Sequence, residues 1–63
     1  MNQQYKTIFL KIRKEKLTLR ILSMEARYEL KSELMINNKI LRDILRNLKN
    51  AMLISEDNGY YYT

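Results

Sequence analysis

The stretch Asn37-Asn38-Lys39-Ile40-Leu41-Arg42-Asp43-Ile44-Leu45-Arg46-Asn47-Leu48-Lys49-Asn50 decides how this chain folds. At 100° per residue, Ile40, Leu41, Ile44, Leu45 and Leu48 share one continuous arc. Lys39, Arg42, Asp43, Arg46, Asn47, Lys49 and Asn50 occupy the opposite arc. A helix over 38–50 with one apolar and one polar face follows. Asn37 precedes it with a side-chain oxygen able to accept from the orphan amides of the first turn, so it is the expected N-cap.

The surroundings of this helix are also patterned. Upstream, Leu30 and Leu34 mark the inner face of a shorter helix over 26–34, with Ser23 or a residue just after it as the expected cap. Met35-Ile36-Asn37 forms the connection. Two helices joined by so short a turn must cross steeply, which forces Leu30 and Leu34 against Leu41 and Ile44, with Ile36 closing the corner. Downstream, residues 52–56 and 60–63 read as two strands, joined at Asn58-Gly59. Asn-Gly is a strong hairpin signal because a type I′ turn needs positive φ at both central positions. Tyr60, Tyr61 and Tyr62 then alternate between faces, with one or two turned to the core.

The N-terminal part reads as a helix over 4–24, either continuous or broken near 14–16. Tyr5, Ile8, Phe9 and Ile12 fall on one stripe, and Leu17, Ile21 and Met24 continue it, although residues 17–21 also alternate as a strand would. The expected architecture is a single domain over 1–63, mainly α with a small C-terminal β-hairpin: an N-terminal helical segment over 1–16, and the helix pair and hairpin over 17–63.

Bulk composition narrows the function. Sixty-three residues allow one small domain with a thin core. The chain has neither Cys nor His, which excludes disulfides and the usual zinc ligand sets. No apolar run approaches the length of a membrane span, and the longest near the start, Ile8-Phe9-Leu10, is too short for the apolar part of a secretory signal. A cytoplasmic location is expected. The formal net charge of +5 favours an anionic partner. Glu29 and Glu33 lie one turn apart, but no nucleophile, base or phosphate-cradling glycine loop accompanies them. They read as surface charge, and the chain reads as a non-enzyme with no cofactor and no small-molecule ligand.

The segment from Tyr28 to Leu48, with apolar residues at Leu30, Leu34, Ile36, Leu41 and Ile44, resembles the helix-turn-helix of the winged helix-turn-helix transcription regulators. Residues 50–54 resemble the family's entry into its wing, and residues 57–61 a short wing. The resemblance covers about 17–63. It departs from the family pattern at Met35 and Met52, where glycine is common, and at Lys31, where a small residue is usual. It implies three helices plus a wing, with the helix over 38–50 as a recognition helix in the major groove of double-stranded DNA. Asn38, Lys39, Arg42, Asp43, Arg46, Asn47 and Lys49 are then the DNA-binding candidates. Arg42 and Arg46 suit bidentate contacts to guanine or phosphate. The acidic residues Glu56 and Asp57 at the wing tip oppose deep insertion beside phosphates.

Two further expectations arise. The stripe Tyr5, Ile8, Phe9 and Ile12 reads as core or, with no helix after the hairpin to join two copies, as the candidate homodimer contact. The basic stretch Lys11, Arg13, Lys14, Lys16 and Arg20 reads as solubilising charge, or as flanking phosphate contact. The rival to DNA binding is a winged-helix protein-interaction module whose basic face takes an acidic partner. A basic amphipathic protein lying on a membrane is disfavoured by the Asn58-Gly59 hairpin.

Overall fold

The structure is a computed structural model that describes residues 2–14 and 24–63. Three helices are followed by one antiparallel hairpin: α1 (Gln3–Lys14), α2 (Met24–Leu34), α3 (Asn38–Asn50), β1 (Ser55–Asp57) and β2 (Tyr60–Tyr62). This is the mainly helical, winged-helix-like layout expected from the sequence. The Ser23 cap, the break near 14–16 and the alternating 17–21 lie outside the described residues, apart from Lys14, the last residue of α1. Met24, read as the end of the first helix, instead opens α2, two residues before the expected start.

Each helix boundary has a local cause. Asn2 starts α1, its Oδ1 accepting from the Tyr5 amide at 2.9 Å. Asn37 starts α3 as expected, with extended backbone and its Oδ1 accepting from the Ile40 amide at 2.9 Å. The two later helices end in the same way. At the end of α2 the Ile36 amide donates to the Lys31 carbonyl and the Met35 amide to the Ser32 carbonyl. At the end of α3 the Leu53 amide donates to Leu48 and the Met52 amide to Lys49. These are paired Schellman bonds, which require a left-handed residue at the first position past the cap. Met35 and Met52 supply it, with φ of 56° and 62°. The left-handed geometry that glycine usually supplies at such ends is thus kept without glycine. A Cβ in that region costs about 1–2 kcal/mol, and neither methionine recovers it by burial, being 90% and 91% exposed.

The second Schellman turn corrects the hairpin boundary. The first strand was expected from residue 52, but Met52 is occupied in closing α3, and regular pairing begins only at Ser55. Ser55 then pairs with Tyr62, Glu56 with Tyr61 and Asp57 with Tyr60, leaving Asn58-Gly59 as the two-residue loop. Their φ values of 52° and 83° are those of the type I′ turn. A Cβ built on Gly59 meets no atom within 4 Å, so a side chain there is opposed by the backbone alone. Gly59→Val is expected to lower the melting temperature by the equivalent of about 1–2 kcal/mol, since a β-branched residue resists positive φ. An unchanged melting curve would show that the hairpin does not depend on this turn.

The core gathers Ile8 and Ile12 of α1, Leu30 of α2, Ile36 of the connection, Leu41, Ile44, Leu45 and Leu48 of α3, and Ile54 before the hairpin. Ile36 closes the helix corner as the spacing requires. Ile40, at the edge of the apolar arc, stays 40% exposed. Tyr61 packs against the core and Tyr60 is exposed as alternation requires, while Tyr62, on the face of Tyr60, is half-buried. α1 lies against α3 and β2.

That packing gives the N-terminal stripe its core role. Ile8 and Ile12 are buried within the chain itself, and Tyr5 and Phe9 pack against the same core. Of the stripe, only Tyr5 and Phe9 keep partial exposure. The physical reason is size: so small a domain has too few apolar residues to leave its first helix outside the core.

Candidate nucleic-acid interface

Burial of Leu41, Ile44, Leu45 and Leu48 turns the polar arc of α3 to solvent along its whole length. Asn38, Lys39, Arg42, Arg46, Asn47 and Lys49 are exposed, and Asp43 is half-buried. The arc has two edges and a centre, and each meets different neighbours.

At the centre stand Lys39 and Arg46, with the Asp43 carboxylate serving both. Arg46 Nη2 lies 3.0 Å from Asp43 Oδ1, and Lys39 Nζ lies 3.7 Å from Oδ2. The spacings, four residues and three, are those at which helix side chains meet. Such exposed pairs contribute little stability. They do restrict where the Arg46 guanidinium sits and reduce the positive charge at the middle of the face.

Toward α1, Asn47 Nδ2 donates to the Tyr5 hydroxyl at 2.6 Å. Asn47 therefore links two helices, and its amide is less available to an outside partner than the sequence suggested. Toward the hairpin the arc carries Asn38, Arg42 and Lys49. Lys49 Nζ donates to Glu56 Oε1 at 2.8 Å, while Glu56 Oε2 accepts from the Gly59 amide at 3.3 Å. One carboxylate thus ties the end of α3 to the wing turn. Arg42 has no ion pair or side-chain hydrogen bond among the described residues. It borders a shallow concavity with Asn38, Leu41, Leu45, Tyr61 and Arg27.

Arg27 and Lys31 are the residues that sequence reasoning missed. Arg27 Nη2 donates to the Gly59 carbonyl at 2.8 Å, fastening α2 to the wing turn. Lys31 Nζ donates to Asn38 Oδ1 at 2.6 Å, fastening α2 to the first turn of α3. Lys31, noted as a departure from the family pattern, thus reaches a polar partner at the rim. Arg27 and Gly59 are far apart in sequence, and no local pattern could have paired them. Of the basic N-terminal stretch, Lys11, Arg13 and Lys14 line a groove with Leu10, Leu30 and Glu33, while Lys16 and Arg20 lie outside the described residues. Glu29 and Glu33 are exposed, and no group of acidic residues able to hold a metal occurs among the described residues.

The Lys49–Glu56 contact shifts both partners. The hydrogen bond to Glu56, then its charge, raises Lys49 above its ordinary value of 10.5. The hydrogen bond to Lys49, then its charge, holds Glu56 below its ordinary value of 4.5. A depressed acid stabilises the fold above its ordinary value and loses that contribution as pH falls through the lowered one. A raised lysine stabilises below its ordinary value and loses its contribution as pH rises through the raised one. The pair is therefore intact across the neutral range. Glu56→Gln is expected to melt slightly below wild type at neutral pH, with the difference closing in acid below 4.5. A difference that persists unchanged in strong acid would assign the effect to something other than this pair.

Compared with known proteins, the chain matches no family model, no curated protein and no solved structure. No helix among the described residues is long and apolar enough to cross a membrane.

Proposed function

We propose that this protein binds duplex DNA through α3, as a cytoplasmic regulator of transcription. One observation carries the reading: Lys39, Arg42 and Arg46 stand exposed along the outward arc of α3, while Leu41, Ile44, Leu45 and Leu48 of the opposite arc are committed to the core. An α-helix presented in this way fits the major groove, where exposed side chains reach base edges. Arg42 is the cation most available for a bidentate contact. Arg46, steered by Asp43, is the second. Glu56 and Asp57 at the hairpin discourage approach to phosphate there, so the helix rather than the wing carries sequence reading.

The direct test is selection of bound duplexes from a random pool, read by sequencing. An enriched motif supports the reading, and the number and spacing of half-sites within it give the stoichiometry on DNA. Retention of duplexes without any enriched motif would reduce the interaction to phosphate attraction. Failure to retain duplex at low salt would remove DNA as the partner.

A further inference from the structure

One stripe along α2 is apolar without a partner among the described residues. Met24 is 85% exposed, Tyr28 69% and Met35, one residue past the helix end, 90%. With Lys31 they fall within about 60° of helical arc, turned roughly 100–160° from the buried Leu30. One edge of this stripe carries Glu25 and Glu29. The other carries Arg27 and Lys31, which reach the wing turn and the start of α3 respectively.

We propose that this stripe is the contact surface for a second copy of the chain, with the two α2 helices antiparallel across a two-fold axis. Such an interface requires that residue i meet residue j and j meet i. The stripe has that symmetry about the point between Glu29 and Leu30. Antiparallel alignment there sets Met24 against Met35 of the second copy, and Tyr28 against Lys31 of the second copy. Methionine packs on methionine, and the aliphatic stem of Lys31, whose ammonium is held by Asn38, lies on a phenol ring. The parallel alternative brings identical residues together and places Lys31 against Lys31 in the middle of the seam. Charge therefore selects the antiparallel pair.

The same symmetry fixes where the other faces go. An antiparallel two-fold keeps the Arg27–Lys31 edges of both copies on one side, with the α3 starts and wing turns they touch. The acidic edges turn to the other side. Both α3 faces then look the same way, as two copies on one duplex require. This last step rests on the duplex-binding reading, whereas the pairing does not. So few residues per copy place the contact well below a standard interface of about 1,600 Å², so association is weak.

Sedimentation of the full chain without DNA, from micromolar to millimolar concentration, tests the pairing apart from DNA binding. Wild type is expected to show a monomer–dimer equilibrium. Tyr28→Lys, which sets lysine against lysine, should weaken it roughly tenfold or more. The exchange Tyr28→Lys with Lys31→Tyr regenerates the pair with roles reversed and should restore it. A second measurement covers any loss of folding in the exchange variant. Met24→Cys with Met35→Cys should form disulfide-linked dimers on oxidation, while either change alone should not. A chain that stays monomeric at millimolar concentration, a dimer indifferent to Tyr28→Lys, or ready crosslinking of the single variants would each overturn the proposal.

Discussion

Replacing Arg42 and Arg46 together by alanine is expected to abolish sequence-preferring duplex binding while leaving helical circular dichroism unchanged. Neither side chain belongs to the inner arc of α3, where Leu41, Ile44, Leu45 and Leu48 hold the helix to the core. An arginine that reads a base contributes about 1–3 kcal/mol of preference at one position. Losing two such contacts weakens the preferred site roughly thirtyfold or more. The single variants separate the roles. Arg42 has no partner among the described residues to release, so Arg42→Ala reports its DNA contact. Arg46→Ala also leaves Asp43 with Lys39 as its only cation partner in the face, so part of its effect is added repulsion of phosphate. A contact to phosphate would instead lower affinity evenly across sequences and reduce the salt slope by about one unit. Unchanged duplex affinity and preference in the double variant would sink the claim that α3 reads DNA. An acidic protein would then be the leading partner for the same face.

Ile8→Ala is expected to remove a large part of the stability of the fold at room temperature. Ile8 has no exposed surface and sits where α1 meets the core. Truncating a buried isoleucine to alanine costs about 2–5 kcal/mol. Domains of this size have total stabilities on the order of 3–9 kcal/mol, so this one side chain is a large part of the margin. Leu10→Ala on the same helix is the control, since Leu10 is 45% exposed and should cost far less. Urea unfolding followed by circular dichroism measures both. The comparison also tests what the N-terminal stripe is for. A dimer surface would show a loss that depends on protein concentration, whereas a core position shows the same loss at every concentration. An Ile8→Ala chain as stable as wild type would mean that α1 is not part of the fold.

Much of the architecture was legible in the sequence because its causes are local. The period of Ile40 to Leu48 and the cap at Asn37 define α3 within its own residues. The Asn58-Gly59 dipeptide defines the hairpin loop by its tolerance of positive φ. The corner at Ile36 follows from the length of a turn. The candidate face of α3 was legible for the same reason, since a helix with one arc buried must expose the other.

Other features were decided by contacts between residues distant along the chain, which no period encodes. The stripe of α1 has the same spacing whether it covers a core or a second copy; only the meeting of α1 with α3 and β2 places Ile8 and Ile12 inside. Ile40 obeys the apolar arc yet remains partly exposed, because the neighbouring elements do not extend over it. The late start of β1 depends on Met52 adopting a conformation that its residue type disfavours but the end of α3 demands. The state of the α3 cations likewise emerges only on folding. Lys49 meets Glu56, and Asn47 meets Tyr5, because the hairpin and α1 fold back on the helix from opposite sides. Periodicity and capping are properties of a segment and survive in its sequence; burial and pairing are properties of the packed chain.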